Sequence, residues 1–336
     1  MLTVGVRGWR ENREAAGFLV SIVFVCLASV RDVYLAGLFQ RTSPLLIAVA
    51  GFTLCSLVFL PISLARDPSS LRALLSRPRD LFWINVTSAM AWIAFFYALR
   101  TIEPLLVQIL FFGIGPLSVV WIDQRVPGAA PAVPLTRTER PIHLGLLASL
   151  IFSVAVVVGG LSGAGPQPIG VAAVGVTLAA GAGLSISVNT LLCRKVNDAG
   201  VSAAALVALR FPGAVILATV LAAVSRSDLP AVPSTNALVF VMMALLLIVF
   251  PIYVNQVGIA LASPLTVRVV LAAGPVLLFF LQLIEGRLAS SPYSLAAAVF
   301  YAVFAIAAAL ARRHAIRSAL PATRLMKRAI AGPHAS

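Results

Sequence analysis

The sequence predicts an all-α membrane protein: ten transmembrane helices forming two inverted five-helix repeats, with both termini cytoplasmic. Three observations carry that prediction. Apolar runs near spanning length follow one another along the chain, Lys and Arg concentrate on alternate connections, and one proline-bearing stretch recurs in the second half. Of 336 residues, 60% are hydrophobic and 11% charged, with a mean hydropathy of +1.02. Soluble domains carry about 25% charged residues. The runs are continuous rather than alternating, which selects helices over a barrel.

The spans fall at residues 17–39, 44–64, 81–100, 104–122, 143–161, 168–191, 201–224, 236–258, 262–284 and 291–311, each near the ~20 residues a spanning helix needs. The polar opening MLTVGVRGWRENREAAG leads into the first span without a cleavable signal pattern. Only Arg100 to Glu103 separates the third span from the fourth. The Glu103-Pro104 step divides them, because the residue before a proline avoids the α region. Pro264 likewise starts the ninth span, where proline is tolerated. Asp123 to Ile142, rich in proline and polar residues, reads as a long cytoplasmic loop. From Arg312 the chain is basic with spaced apolar residues, a tail either solvated or resting on the anionic inner leaflet. The repeats take residues 1–161 and 162–311, and 312–336 form the tail.

With the N-terminus inside, cytoplasmic segments hold 18 Lys and Arg and outer segments hold four, Arg41, Arg100, Arg226 and Arg287. Basic residues are retained on the cytoplasmic side, so both termini are placed there. The same rule accounts for the net charge of +14, and nucleic acid is not expected as a partner. Cys26, Cys55 and Cys193 lie in or beside apolar runs and read as reduced packing residues. With His143, His314 and His334 scattered, neither a metal nor another cofactor is expected.

The recurring stretch is ALRTIEPLLVQILFFGIGPLSVVW, from Ala98 to Trp121, and GIALASPLTVRVVLAAGPVLLFFLQLIEGR, from Gly258 to Arg287. Pro104 aligns with Pro264, Gln108 with Arg268, and Gly115-Pro116 with Gly274-Pro275 after a one-residue slip. An acidic residue follows each helix, Asp123 and Glu285. Five spans on either side of Ser162 force the halves to insert with opposite orientation, the plan of many secondary transporters. Pro116 and Pro275 are then the expected sites of helix bending.

These features resemble the EamA type of the drug/metabolite transporter superfamily over residues 17–311. The resemblance lies in the fourth and ninth spans, in Glu285-Gly286 (the family's Gly-Glu turn in reversed order) and in Arg210 within ALRFPGAVIL. It departs at the second span, where Gly51 and Phe52 stand in place of an arginine, and at Asp123, where the family has Glu. The resemblance implies ten helices in two repeats, both termini inside, and export of a small solute.

Ionisable residues inside a span are costly and functional by default. Arg31 and Asp32 are adjacent in the first span. Sequence neighbours point about 100° apart on a helix, so each should find a partner on another helix or line a cavity. Asp32 is the one carboxylate well inside a span and is the expected proton carrier. Arg210 precedes Phe211-Pro212, where the proline should kink the helix; its role is either to cap freed carbonyls or to touch the solute. Arg268 and Gln108 should face a central path from opposite sides of the midplane, or Arg268 snorkels to the inner headgroups. Trp92 is expected as a cavity wall, with Asn189 and Asn255 as further polar lining. Ser185, Ser187, Tyr97, Tyr253, Gln256 and Gln282 are secondary.

Three intramembrane arginines against one aspartate favour a solute with a carboxylate or another anion. The expected function is therefore a secondary-active exporter of small anionic or zwitterionic metabolites, such as amino acids, in the inner membrane. It would work by alternating access with protons as coupling ion, among membrane lipids, and a homodimer is left open. No GxxxxGK[ST] loop is present, and the protein is not expected to be an enzyme. The alternatives are a lipid-linked sugar flippase and a membrane-embedded lipid-modifying enzyme, the latter hinted at only by His143 near Glu139.

Overall fold

In the computed structural model the described residues are 2–122, 136–225, 237–262 and 264–330. Asp123 and most of the expected loop lie outside them. All regular structure among them is helical: α1 Leu2–Phe39, α2 Pro44–Arg66, α3 Pro68–Leu75, α4 Pro78–Thr101, α5 Pro104–Ile122, α6 Glu139–Val158, α7 Ile169–Asp198, α8 Ala203–Leu209, α9 Pro212–Val224, α10 Ala237–Ala244, a π-helical turn Leu245–Val249, α11 Phe250–Leu261, α12 Pro264–Ala272, α13 Gly274–Glu285 and α14 Pro292–Ile330. Many of these helices open on a proline. Its fixed φ suits the first turn, and its missing N–H is one the first turn leaves unbonded anyway.

Eight helical stretches are long and apolar enough to cross a membrane, and two shorter apolar ones are Pro104–Ser118 and Val269–Glu285. Large apolar side chains such as Leu57, Leu144, Ile169, Ile216, Ile284 and Val303 are exposed on their outer faces. A water-facing surface does not carry so much apolar area, whereas hydrocarbon requires it. The chain is an all-helical, multi-pass membrane protein.

Several boundaries differ from the sequence expectation. The first helix begins at Leu2, α14 continues through Arg312 to Ile330 without a break, and α6 begins at Glu139, inside the expected loop. The short α3 was not foreseen. It forms because Asp67 caps it, accepting the Ser70 N–H at 3.1 Å and the Ser69 hydroxyl at 2.7 Å, while Leu71 and Leu74 are buried. Those hydrogen bonds from Ser70 and Ser69 hold the Asp67 carboxyl down at about 2. Three expected spans are interrupted: at Arg210-Phe211, at the π-helical turn, and at Ala273. The π turn follows from Pro251, which has no N–H to donate; the Phe250 N–H reaches back to the Leu245 carbonyl.

α7 packs on α4 and α5, while α1 packs on α11, α12 and α13. α2 lies against α8 and α9, and α14 against α6. The connections meet at two ends. One end holds Glu14 bonded by Thr266, Lys195 on Asp80 at 2.8 Å, the Ser202 N–H on Ser70 Oγ, and Arg312 at 3.7 Å from Glu139. The other holds Gln40 donating to the Arg100 carbonyl and Gly37 against Glu285 and Arg287. It also contains a buried carboxylate. Glu103 Oε2 accepts the Gly163 N–H at 2.8 Å and the Ser294 hydroxyl at 2.7 Å, tying the α4–α5 turn to the α6–α7 connection and to the start of α14.

Burial pushes the Glu103 carboxyl up, and the Ser294 and Gly163 hydrogen bonds oppose the rise. An acid raised in the folded state contributes stability that is full below its unfolded value and lost as pH rises through the folded one. Glu103→Gln keeps one oxygen to accept both bonds. Its thermal melt in detergent should match the wild type in acid and lie above it at neutral pH. Glu103→Ala should cost about 2–3 kcal/mol, because two buried donors lose their acceptor.

Candidate functional site

The buried polar groups are organised on α4. Asn85, Ser88 and Trp92 recur at helical spacing and face one side, each touching a different element. Asn85 sits at the break between α8 and α9. In an unbroken helix the Gly213 N–H would bond the Leu209 carbonyl. Here Asn85 Oδ1 accepts the Gly213 N–H at 2.9 Å and Asn85 Nδ2 donates to the Leu209 carbonyl at 2.9 Å. One side-chain amide from a neighbouring helix thus replaces the missing backbone bond at both its ends. Pro212 opens α9 at its first turn.

The break leaves Arg210 pointing inward. It is 3% exposed. Its Nε donates to Ser88 Oγ at 3.0 Å and its Nη1 to Gln256 Oε1 at 3.2 Å, and its guanidinium carbon lies 5.3 Å from the Phe211 ring centre. Among the described residues no carboxylate pairs with it. Freed carbonyls are not its partners; Asn85 has that task.

One helical turn along α4, Arg31 lies over Trp92 at 5.1 Å and over Phe95 at 5.7 Å. Contrary to expectation, Arg31 and Asp32 are each other's partners: Arg31 Nε donates to Asp32 Oδ1 at 2.7 Å. The two Cβ directions diverge, but the long arginine stem folds back across the helix face. Asp32 Oδ2 accepts from Gln108 Nε2 at 3.2 Å, which ties α1 to α5. Phe52 joins the two regions, stacked on Phe211 at 4.8 Å and edge-on to Trp92 at 5.8 Å.

Several buried polar atoms in this region have no hydrogen-bond partner among the described residues: Arg31 Nη1, Trp92 Nε1, Gln108 Oε1 and Gln256 Nε2. Unpaired buried groups of this kind are costly and mark places where a ligand or a second conformation supplies the bond.

Of the residues singled out from sequence, Arg31, Asp32, Trp92, Gln108 and Arg210 are thus gathered around α4. Asn189 is fully buried, but it works as a cross-link. Its Nδ2 lies within 2.9 Å of the Ile84 carbonyl and of Thr87 Oγ1 and 2.8 Å from Ser88 Oγ, and its Oδ1 accepts from Cys193. Asn255 is only half-buried; its neighbour Gln256, one helical step round, takes the place in the network. The side chain of Arg268 lies outside the described residues. Gln108 faces Gly274 instead, whose added Cβ would stand 3.1 Å from Gln108 Oε1. Pro275 stands in the first turn of α13, just after the break at Ala273, whereas Pro116 sits inside an uninterrupted α5. Asn85, Ser88 and Thr87 were missed. The signal was present in NVTSAMAW, where polar residues keep one face of an apolar span.

Among the described residues no group of three His, Cys, Asp or Glu is placed to hold a metal. No family model matches the chain and no curated protein matches it. A solved crystal structure aligns over 89% of this chain and 99% of its own length, with a TM-score of 0.60 and 22% identity. At that identity the likeness shows a shared fold alone.

Asn85→Ala removes both halves of the bridge at the α8–α9 break. It should destabilise the protein by about 2–4 kcal/mol in a detergent melt, since two buried backbone groups are left unpaired. Asn85→Asp keeps the acceptor for Gly213 and should lose less at a pH where it is protonated.

Proposed function

We propose that the chain is a secondary-active transporter of the inner membrane that exports small anionic or zwitterionic metabolites, such as amino acids, by alternating access with proton coupling. The observation that carries this reading is Arg210: a guanidinium 3% exposed whose hydrogen-bond partners are all neutral. A buried cation without a counter-charge is expensive to keep. An anionic group on the solute supplies that charge, and Gln256 Nε2 and Trp92 Nε1 offer donors to its remaining oxygens.

The architecture supports ten crossings in two inverted repeats. α5 has 19 residues, about 28 Å of helix, close to the hydrocarbon thickness. Among the described residues, contacts between connections sort onto two ends and alternate with the order of the spans. The packing also maps onto itself when the halves are exchanged. α4 on α7 corresponds to α11 on α1, α5 on α7 to α12 and α13 on α1, and α5 on α6 to α12 and α13 on α14. The end carrying Arg72, Arg77, Lys195 and Arg312 is read as cytoplasmic. The resemblance to EamA-type drug/metabolite transporters points the same way and is the ground for export.

Purified protein in proteoliposomes tests the reading with a panel of labelled carboxylates and amino acids. Arg210→Gln should lower kcat/KM for a transported anion about 10- to 100-fold, the worth of a charge-assisted bidentate contact. Arg210→Lys should recover part of it. Uptake of every anion unchanged in Arg210→Gln would sink the anion reading. A reporter fused after Ile330 should score as cytoplasmic, and an external score would overturn the topology.

A further inference from the structure

We infer that Arg31 is a second anion contact, one that opens only when Asp32 takes up a proton, so that the solute is one with two carboxylates and each molecule of it travels with one proton. This rests on the anion-transport reading above and names the class of solute and the sense of coupling.

Charge must balance in a buried, low-dielectric core. Arg31 and Asp32 are 2% and 0% exposed and neutralise each other at 2.7 Å. Among the described side chains Arg210 adds one positive charge, so with Asp32 ionised these three groups carry a single excess charge and accept one carboxylate. When Asp32 is protonated, the attraction that holds Arg31 Nε is lost. Arg31 already has one donor, Nη1, buried and unpartnered. The core then carries two positive charges, and only a second carboxylate restores neutrality. A proton without that carboxylate, or the carboxylate without the proton, leaves an unpaired charge in low dielectric. The two therefore bind and leave together.

The geometry allows one solute to reach both sites. Arg210 is 3.0 Å from Ser88 Oγ and Arg31 lies 5.1 Å over Trp92. Ser88 and Trp92 are one turn apart on α4, so the guanidinium groups stand on the order of 10 Å from each other. A short chain ended by two carboxylates bridges that distance. Gln108 donates to Asp32 through Nε2 and keeps Oε1 unpartnered, so turning its amide over lets Oε1 accept the hydrogen bond of the protonated Asp32.

Other charges around Asp32 are few. Of the elements packed on α1, α4 carries Arg79, Asp80 and Arg100 near its ends, and α13 carries Glu285, which pairs with Arg287. α12 carries Arg268. α5 and α11 carry none among the described residues.

In a transport cycle the proton binds Asp32 with the solute on one side and is released with it on the other. Two negative charges and one positive move together, one net negative charge per cycle. An inside-negative potential therefore drives export.

Calorimetric titration of the purified protein tests this, with succinate and propionate as probes, in the range where succinate is fully a dianion. Succinate should bind with uptake of one proton, its Kd tightening about tenfold for each unit fall in pH, while propionate binds with no proton. Asp32→Asn should bind succinate tightly with no pH dependence. Arg31→Gln should erase the advantage of succinate over propionate. The wild-type titration needs no variant to fold. Succinate binding that takes up no proton, or propionate binding that takes up as much, overturns the inference and leaves the anion reading standing. Neither probe binding at any pH, in a protein that also takes up no carboxylate in vesicles, fells both.

Discussion

In hydrocarbon a backbone N–H or C=O that loses its helical partner finds no water to replace it. That constraint shapes this molecule more than any single residue, and Asn85 is its sharpest expression. The helix at Leu209 and Gly213 is opened, and one amide from α4 restores what was lost at both ends. The same demand explains why Pro251 produces a π turn rather than a gap. It also explains why a carboxylate, Glu103, is buried at a turn where the Gly163 amide needs an acceptor. Hydroxyls along the spans bond back to carbonyls in their own helices, as Ser153 does to Ser149 and Ser187 to Gly183, so that few polar groups are left over. Among those left over are Arg31, Trp92, Gln108 and Gln256, which the hydrogen bonds and ring contacts around α4 bring into one region.

α4 turns this constraint into a positioning device. Its face is occupied by Asn85, which fixes the break, by Ser88, which orients Arg210, and by Trp92, whose ring lies under Arg31. Asn189 then locks α4 to α7 through three contacts of a single amide nitrogen. Ser88 is shared between Asn189 and Arg210, so the cross-link and the charged group are held by the same hydroxyl. A shift of α4 would therefore move both guanidinium groups at once, as the proposed carrier would require.

The helical, multi-pass character was legible because it rests on composition and run length, which need no tertiary information. So was the buried status of Arg31, Asp32 and Arg210, since charge within an apolar run is conspicuous. Partnerships were not legible. Direction on a helix argued against an Arg31–Asp32 pair, and the flexibility of an arginine stem defeated the argument. Gln256 was ranked below Asn255 because both are amides in the same run, and one helical step decides which is buried. Asn85 escaped because its function depends on a break in another helix more than a hundred residues away, where the sequence shows only Pro212.

The recurring Gly-Pro motif shows how far two similar stretches diverge once packed. Gly274 lies where a Cβ would press on Gln108 Oε1 at 3.1 Å, and the helix breaks beside it. A Cβ on Gly115 would stand 2.9 Å from Ser187 Oγ, and α5 runs on through Pro116. The arginine is likewise unrepeated. Under the proposed repeat the counterpart of Arg210 falls at about Gly51, and there a Cβ would stand 2.5 Å from Ile248 Cδ1. The helix is open at Arg210, where a guanidinium is admitted, while at Gly51 the Ile248 side chain fills the space that an added side chain would need. A scaffold whose halves pack alike thus holds a site whose charges are not symmetric. In the carrier we propose, symmetry in the packing would keep inward and outward arrangements close in energy, and asymmetry in the charges would give the solute one orientation in both.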